Sequence, residues 1–326
     1  MSGTPPPPIH PVSAAAVSPR SRQHSRTARP SELPAPRSVR MDRVRWMAHV
    51  RPGHIALALG LLHLGLVLLS MIPRPHDGGD NAAYLALARS LREHGTYREL
   101  WDPAGRPHTQ YPPGWPLILA GALRVGLAPW VGFKVVAALF SAGAVALSYL
   151  WARRVATPGT ALGVGVVLAV ATGVVDTGRW ELSDPSFWAF TMLALYAFAR
   201  MREDASAEDG APPSAPAQTP RWKTLAGPLA IASIATLLAY ATRSAGLPLL
   251  VAAGAWLAWR RGWRAVAVFA ATIGPFAVYW WARGRASGAP SYAAHLWYTN
   301  PYHPSMGTVK MGGMLRRIGA NTVEFT

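Results

Sequence analysis

The chain has 326 residues, of which 51% are hydrophobic and 14% charged, against about 25% charged in soluble domains. Its formal net charge is +17, but Lys and Arg lie in short patches between long uncharged runs, which indicates membrane topology rather than a nucleic-acid-binding surface. The chain contains no Cys, which excludes disulfide scaffolds, thiolate metal sites and thiol nucleophiles. The sequence therefore predicts an all-α polytopic membrane protein.

The first 53 residues predict a disordered basic tail. Residues 1–53 contain nine Arg, ten Pro and two acidic residues, with almost no sustained apolar sequence. Such a segment cannot bury enough apolar surface to offset its chain entropy. The first apolar run begins too late for a secretory signal peptide and does not end in a small-residue cleavage site. We therefore interpret this run as a retained first span.

Uncharged runs of 15 to 19 residues predict about seven transmembrane helices. The first run holds a single titratable residue, His63, which we expect to hydrogen-bond within the helix bundle. Segment 116–129 is shorter and contains Arg124, so we interpret it as an interfacial or re-entrant helix on the outer face. The seven runs are 55–72, 135–152, 159–175, 185–199, 224–242, 244–259 and 265–282.

The orientation of the spans follows from the basic patches between them. Cytoplasmic loops carry an excess of Lys and Arg, and the Arg-rich N-terminus therefore lies in the cytoplasm. The basic patches near residues 153, 200 and 260 then also fall inside. The predicted organisation comprises a cytoplasmic tail at 1–53, a membrane module at 54–200 with its first outer loop at 73–130, a cytoplasmic linker at 201–223, three spans at 224–282, and outer segments at 176–184 and 283–326.

Residues 77–97 predict an amphipathic helix at the outer membrane surface. Asp80, Tyr84 and Leu87 share one face of this helix at helical spacing. The dipole at a helix N-terminus favours an ionised carboxylate, which can accept a proton from an attacking hydroxyl. Asp80 is therefore a candidate general base. The alternative is that Asp80 or Asp77 only caps the helix.

Three further outer segments carry the remaining candidates. In YPPGWP, residues 111–116, the prolines forbid regular helix before Trp115, which is typical of a rigid turn back to the bilayer. In DTGRWELSD, residues 176–184, charges crowd the membrane boundary, where they pair, bind ions or line a cavity. The alternative is a solvated loop in which Arg179 bridges two carboxylates. Arg243 alone is typical of a snorkelling anchor.

Together these segments resemble one family, the GT-C-fold glycosyltransferases. This family includes the dolichyl-phosphate-mannose protein mannosyltransferases and the lipid A aminoarabinose transferases. The resemblance covers about residues 54–310, with NPYHPSMGT in the last outer loop. The motifs that carry it are D-x-x-x-Y-x-x-x-A at 80–88, YPPG-W-P at 111–116, the E-x-S-D-like pair at 181–184 and T-R-x-x-G-L at 242–247.

The resemblance implies transfer of a sugar from a polyprenyl-phosphate donor to a lipid, glycan or protein acceptor at the outer membrane boundary. It places the family's first-loop catalytic acid at Asp80 and its acidic site at Glu181 and Asp184, where Mg²⁺ or Mn²⁺ is a candidate cofactor. The expected partners are the donor, membrane lipids and the acceptor, with no nucleic acid. The expected location is the bacterial inner membrane, with the active site outside the cytoplasm.

The sequence departs from the family pattern at two points. Several relatives carry Lys directly before the Pro-Pro pair, where it contacts the donor phosphate, and this chain has Tyr111 there. We expect a compensating cation at Arg106, Arg179 or Arg243, and substrate contacts from Tyr84 and Tyr111. The family also continues with more spans than the seven predicted here, so we expect the last outer loop to be incomplete.

The alternative function is a transporter or another membrane scaffold whose charges line a permeation path. A transporter places ionisable groups near the middle of the bilayer, often in broken helices. In this sequence the charges lie at the ends of the predicted spans, and His63 is the one titratable residue inside the first of them. This placement favours the glycosyltransferase.

Overall fold

The structure is a computed structural model that describes residues 50–209, 222–287, 297–300 and 303–324. Within these ranges the regular secondary structure is helical, with short 3₁₀ turns at Ser244–Gly246 and Pro304–Met306. The helices are α1 (Pro52–Ser70), α2 (Asn81–His94), α3 (Gly114–Arg124), α4 (Val131–Val155), α5 (Pro158–Val170), α6 (Thr172–Gly178), α7 (Asp184–Asp209), α8 (Trp222–Thr242), α9 (Leu247–Arg260), α10 (Trp263–Ala286) and α11 (Met311–Glu324).

The helices confirm the predicted all-α membrane fold. In the part of the chain that the structure describes, α1, α4, α10 and the Leu225–Thr242 part of α8 are each long and apolar enough to cross a membrane. The pair α5 and α6 meets the same condition as one bent span. Helices α7 and α9 lie at the two remaining predicted spans. The protein is an integral membrane protein, and the count of seven spans stays a prediction.

The predicted span at 159–175 is not one straight helix, because the chain bends by 57° between α5 and α6. At the break, Ala171 has an extended backbone with φ −59° and ψ 125°. The neighbouring Thr172 and Gly173 have low helix propensity, which lowers the cost of a break here. Helix α6 then reaches Gly178, so the predicted outer loop begins later than residue 176.

His63 compensates for this break in α5. A helix that ends inside a membrane leaves carbonyl groups without helical partners. The Nδ1 of His63 lies 2.9 Å from the carbonyl oxygen of Ala169, and its Nε2 lies 2.7 Å from Ser141 Oγ. Because a carbonyl only accepts, Nδ1 carries the proton and Nε2 accepts the Ser141 hydroxyl. The prediction that His63 bonds within the bundle is confirmed.

The predicted cytoplasmic linker is shorter than its predicted bounds. Helix α7 continues to Asp209, and α8 begins at Trp222, so both ends of 201–223 are helical. Met, Arg, Glu and Ala in the MREDASAED segment are good helix formers, and the helix therefore persists beyond the apolar run. Residues 210–221 lie outside the described part of the chain.

The N-terminal boundary also shifts by a small amount. Helix α1 begins at Pro52, two residues inside the segment predicted to be a disordered tail. Proline suits the first turn of a helix because its missing N–H has no helical partner there. The predicted disorder of the remainder falls on residues 1–49, which lie outside the described residues.

The predicted first outer loop, 73–130, contains α2 and α3, which pack on each other, and α3 also packs on α4. Tyr84 and Leu87 are buried and Arg89 is exposed, so the predicted apolar face of α2 is confirmed. Helix α3 has 11 residues, whereas a membrane span needs about 20. It therefore does not cross a membrane, in agreement with its sequence interpretation.

Gly114 begins α3 directly against the end of α8. A Cβ atom at this position would lie 2.5 Å from the carbonyl oxygen of Ala241, which is backbone and cannot turn aside. The YPPGWP turn can therefore approach α8 only because residue 114 has no side chain. This approach brings the residues before Gly114 next to the C-terminal end of α8.

We predict that Gly114→Ala lowers the free energy of unfolding by about 1–3 kcal/mol through overpacking at this contact. The matched control is Gly121→Ala in the same helix, where a Cβ would meet nothing within 4 Å. That variant should be neutral or stabilising by up to about 1 kcal/mol, because Ala favours the helix. Thermal unfolding of the purified chain in detergent measures both. Equal melting temperatures for the two variants would contradict the close approach.

Candidate active site

Asp80 occupies the residue directly before α2, but its side chain does not cap the helix. Its backbone carbonyl accepts the Tyr84 N–H at 2.9 Å, which starts the helical bonding. The carboxylate makes no cap hydrogen bond to the first turn. Gly79, with φ +83°, supplies the left-handed turn that leads into Asp80. The Asp80 carboxylate is therefore available for contacts outside its own helix.

Two tyrosine hydroxyls hold the Asp80 carboxylate. Tyr111 Oη donates to Oδ1 at 2.6 Å, and Tyr84 Oη lies 3.4 Å from Oδ2. The two phenol rings meet edge to face with their centroids 5.3 Å apart. The contact joins two motifs that stand 31 residues apart in the sequence. Asp80 Oδ1 thus has a short hydrogen bond, and Asp80 Oδ2 has a long one.

A hydrogen-bonded chain continues from Tyr84 to a cation. Tyr84 Oη and Ser183 Oγ are 3.0 Å apart, and Arg243 Nη1 donates to the same Ser183 oxygen at 3.2 Å. Arg243 Nη1 also pairs with Asp184 Oδ2 at 2.5 Å. Burial raises the pKa of Tyr84 well above its usual value, so its hydroxyl stays protonated. The structure therefore links Asp80 to Arg243 through two neutral hydroxyls.

Glu181, two residues before Ser183, forms a buried ion pair with Lys134. Both side chains are 0% exposed, and Lys134 Nζ lies 3.8 Å from Glu181 Oε2. Glu181 Oε1 accepts the His76 N–H at 2.9 Å and Asn81 Nδ2 at 3.0 Å. Lys134 Nζ donates to the Ile72 carbonyl at 2.7 Å. The pair therefore fastens the chain between α1 and α2 to α4.

The residues predicted to hold a divalent metal do not fit one. Glu181 is bound by an ammonium and two N–H donors, and Asp184 is bound by the Arg243 guanidinium. A Mg²⁺ or Mn²⁺ site needs several oxygen ligands converging on one point. In the described residues no group of three or more His, Asp or Glu side chains could hold a metal. The two carboxylates thus bind cationic side chains separately.

Of the three predicted cations, Arg243 is the one that the hydrogen bonds connect to Asp80. Arg106 lies exposed between α2 and α3 and pairs with Asp102 at 2.6 Å, and this bond lowers the pKa of Asp102. Arg179 pairs with Asp176 at 2.5 Å and donates to the Ser70 carbonyl at 3.3 Å.

The sequence interpretation of Arg179 as a bridge between two carboxylates is half correct. It pairs with one carboxylate, Asp176, and its guanidinium carbon lies 4.9 Å from the centre of the Trp180 ring. A backbone carbonyl at the end of α1 replaces the second carboxylate. Arg179 therefore connects the C-terminal end of α1 to the C-terminal end of α6.

Sequence reasoning missed Lys134, Ser183 and Asn81. Lys134 stands in VGFKVV at the edge of an apolar run, which is typical of a charge at a membrane boundary. Its full burial could not be predicted from the sequence, because it depends on the segments that pack around α4 in the folded protein. Ser183 lies in the ELSD motif between Glu181 and Asp184, which were both predicted to be site residues. Its position in the sequence could therefore have identified it. Asn81 follows Asp80, but nothing local indicates its bond to Glu181.

The chain resembles known proteins in sequence over more than half of its length. Residues 104–285 match the family model described as dolichyl-phosphate-mannose-protein mannosyltransferase. This range contains Tyr111, Lys134, Glu181 and Arg243, whereas Asp80 lies before it. No curated protein matches the chain.

A solved structure with a similar fold is that of the S. cerevisiae protein O-mannosyltransferase Pmt1-Pmt2 complex bound to the sugar donor. The two chains share 18% sequence identity with a TM-score of 0.52. The match covers 82% of the present chain and 38% of the solved chain. The GT-C-type fold expected from the sequence motifs is confirmed. The present chain corresponds to less than half of the solved chain.

We predict that Lys134→Met lowers the free energy of unfolding by about 3–5 kcal/mol, because it leaves the Glu181 carboxylate buried without a counter-charge. The double variant Lys134→Met/Glu181→Gln should recover part of this loss, since no buried charge remains. Arg74→Met is the control, because its ion pair with Asp77 is 65% and 73% exposed. It should change stability by less than about 1 kcal/mol. If thermal unfolding shows that Lys134→Met loses no more stability than the Arg74→Met control, the result would contradict the buried ion pair.

Proposed function

The chain belongs to the dolichyl-phosphate-mannose-protein mannosyltransferase family, and on this basis we propose that it transfers mannose from a polyprenyl-phosphate donor to a protein hydroxyl. The observation that carries the proposal is the Asp80 carboxylate, held by Tyr111 and connected through Tyr84 and Ser183 to Arg243. This arrangement combines a proton acceptor with a cation, which are the two groups that transfer from a sugar phosphate requires.

Asp80 is the proposed general base. The Tyr111 hydroxyl occupies Oδ1 with a short, charge-assisted bond, whereas Oδ2 has the long 3.4 Å contact to Tyr84. Oδ2 is therefore the oxygen that accepts a proton from the acceptor hydroxyl. The acceptor oxygen attacks the anomeric carbon, the bond from that carbon to the phosphate oxygen breaks, and the polyprenyl phosphate leaves with the electron pair. The hydroxyl proton ends on Asp80.

Arg243 is the proposed partner of the donor phosphate. Its Nη1 makes the bonds to Ser183 and Asp184, and a guanidinium carries five N–H donors in a planar fork. The side chain is 37% exposed, so a ligand can reach it from the outer surface. A cation here offsets the charge that develops on the leaving phosphate, as the family's Lys does before the Pro-Pro pair.

We place Asp80, Asp184 and Arg243 outside the cytoplasm of a bacterial inner membrane, with the N-terminus inside. Contacts among the helix ends support a common side for these residues: Arg243 after α8 meets Asp184 at the start of α7. Arg154 and Arg260 lie in the last turns of α4 and α9, at helix ends that the charge pattern assigns to the cytoplasm.

A transporter function has less support. His63, the titratable residue near the middle of α1, has one ring nitrogen bonded to a carbonyl and the other to a hydroxyl, so neither nitrogen is open to a transported ion. The break between α5 and α6 resembles the broken helices of transporters. However, the carbonyl of Ala169 at this break is bonded to His63 rather than open to an ion.

We predict that Asp80→Asn lowers kcat of the full-length chain by about 10²–10⁴-fold, because the amide cannot accept the proton. The substrates are a polyprenyl-phosphate mannose and a Ser- or Thr-containing acceptor peptide, and product formation is measured by mass spectrometry. Asp77→Asn is the matched control, since Asp77 is exposed and pairs with Arg74 at 3.4 Å. It should turn over like the parent. Full activity of Asp80→Asn would refute the assignment of the base.

A further inference from the structure

Residues 97–108 form a small hairpin whose ends lie beside the candidate site. Glu99 N donates to the Arg106 carbonyl at 3.0 Å, and His108 N donates to the Tyr97 carbonyl at 3.2 Å. Arg283 of α10 donates from Nε to the His108 carbonyl at 3.2 Å and also bonds to the Tyr97 carbonyl. The base of the hairpin is therefore held by its own backbone hydrogen bonds and by the Arg283 guanidinium of α10.

The His108 imidazole is bonded at both ring nitrogens. Nδ1 lies 2.9 Å from Glu99 Oε1, and Nε2 lies 2.9 Å from the backbone N of Tyr111. Because the Tyr111 N–H can only donate, Nε2 is the acceptor and Nδ1 carries the proton that Glu99 accepts. The carboxylate thus selects the tautomer in which the other ring nitrogen can hold Tyr111.

Burial favours this neutral tautomer. The His108 side chain is 1% exposed, with the rings of Tyr97, Trp101 and Tyr111 centred 5.1 to 5.7 Å from its own. Burial lowers the pKa of His108, although the bond to Glu99 opposes the shift. A second ring proton would turn Nε2 into a donor facing the Tyr111 N–H. The hold on Tyr111 therefore depends on a neutral imidazole.

Both backbone groups of Tyr111 are fixed, and its side chain reaches Asp80. His108 accepts its N–H, and Tyr97 Oη donates to its carbonyl at 2.9 Å. Pro112 and Pro113 follow directly and restrict the backbone further. With the main chain held on both sides, the phenol hydroxyl meets Asp80 Oδ1 at 2.6 Å.

We propose that His108, oriented by Glu99, is a positioning residue for sugar transfer: it fixes Tyr111 so that the Tyr111 hydroxyl orients the Asp80 carboxylate. His108 itself touches neither Asp80 nor, in this proposal, the substrates. The proposal rests on the proposed role of Asp80 as general base. Its structural half, the hold of His108 on Tyr111, can be measured without any substrate.

The first part of the experiment measures the hold on Tyr111 by hydrogen–deuterium exchange of the full-length chain. Pro112 and Pro113 have no amide hydrogen, so a short peptide that begins at Thr109 and ends at Pro113 reports few amides besides that of Tyr111. His108→Leu should speed exchange of this amide by about fivefold or more, because it removes the acceptor. His108→Gln, which can still accept at this position, should remain near the parent. Unchanged exchange in His108→Leu would overturn the proposal.

The second part measures kcat with a double-mutant cycle on the same substrates. His108→Leu should lower kcat by about tenfold, since misplacement of a catalytic group is costly, and His108→Gln should retain most of the activity. Tyr111→Phe should also lower kcat, and adding His108→Leu to it should cost less than a further twofold. Full additivity of the two losses would overturn the proposal, because His108 would then act by a route other than the Tyr111 hydroxyl.

One control variant and one further test variant separate failure of this proposal from failure of the proposed function. His94→Leu changes an exposed histidine at the end of α2 and should leave exchange at Tyr111 and kcat unchanged. Glu99→Ala is a second way to release Tyr111 if His108→Leu does not fold, and it should speed the same amide. A parent without transferase activity would refute the proposed function, while faster exchange in the variants would still support the hold of His108 on Tyr111.

Discussion

The candidate site of this protein depends on one buried ion pair. Glu181 and Lys134 are both 0% exposed, and removing either charge would leave the other without compensation in a medium that solvates charge poorly. Glu181 receives N–H bonds from His76 and Asn81, on either side of the turn that ends at Asp80. Its backbone carbonyl accepts Trp115 Nε1 at 3.4 Å, which brings in α3. Three other chain segments therefore contact Glu181: the 76–81 turn and α4 through its carboxylate, and α3 through its backbone carbonyl.

The proposed chemistry depends on that arrangement. Asp80 follows the fastened turn, Tyr111 precedes the prolines that begin α3, and Ser183 lies two residues after Glu181. The hydroxyls of Tyr84, Tyr111 and Ser183 meet the Asp80 carboxylate or its neighbours because the ion pair and the Gly114 contact fix the segments that carry them. A base that is oriented before substrate arrives needs little reorganisation during the reaction.

Hydropathy and spacing were sufficient to predict the membrane fold and the buried face of α2, because both follow from local periodicity. Helical spacing and the family resemblance together selected Asp80 and Tyr84, and the resemblance alone selected Tyr111 and Arg243; the structure brings these four residues together. Hydropathy and spacing did not predict the break at Ala171, because the carbonyl exposed there is bonded by His63, 106 residues away in the sequence. They also did not predict the ion pairs of Glu181 and Asp184. Their cationic partners stand 47 and 59 residues away by sequence number, and no local pattern pairs them.

The central claim is that the donor phosphate binds at Arg243 with its sugar facing Asp80. A crystal structure of the full-length chain with a non-hydrolysable polyprenyl phosphonate of mannose tests it most directly. We expect a phosphonate oxygen within about 3 Å of the Arg243 guanidinium, and the anomeric carbon on the side of Asp80 Oδ2. A phosphonate bound at Arg106 or Arg179, with the sugar away from Asp80, would contradict the account.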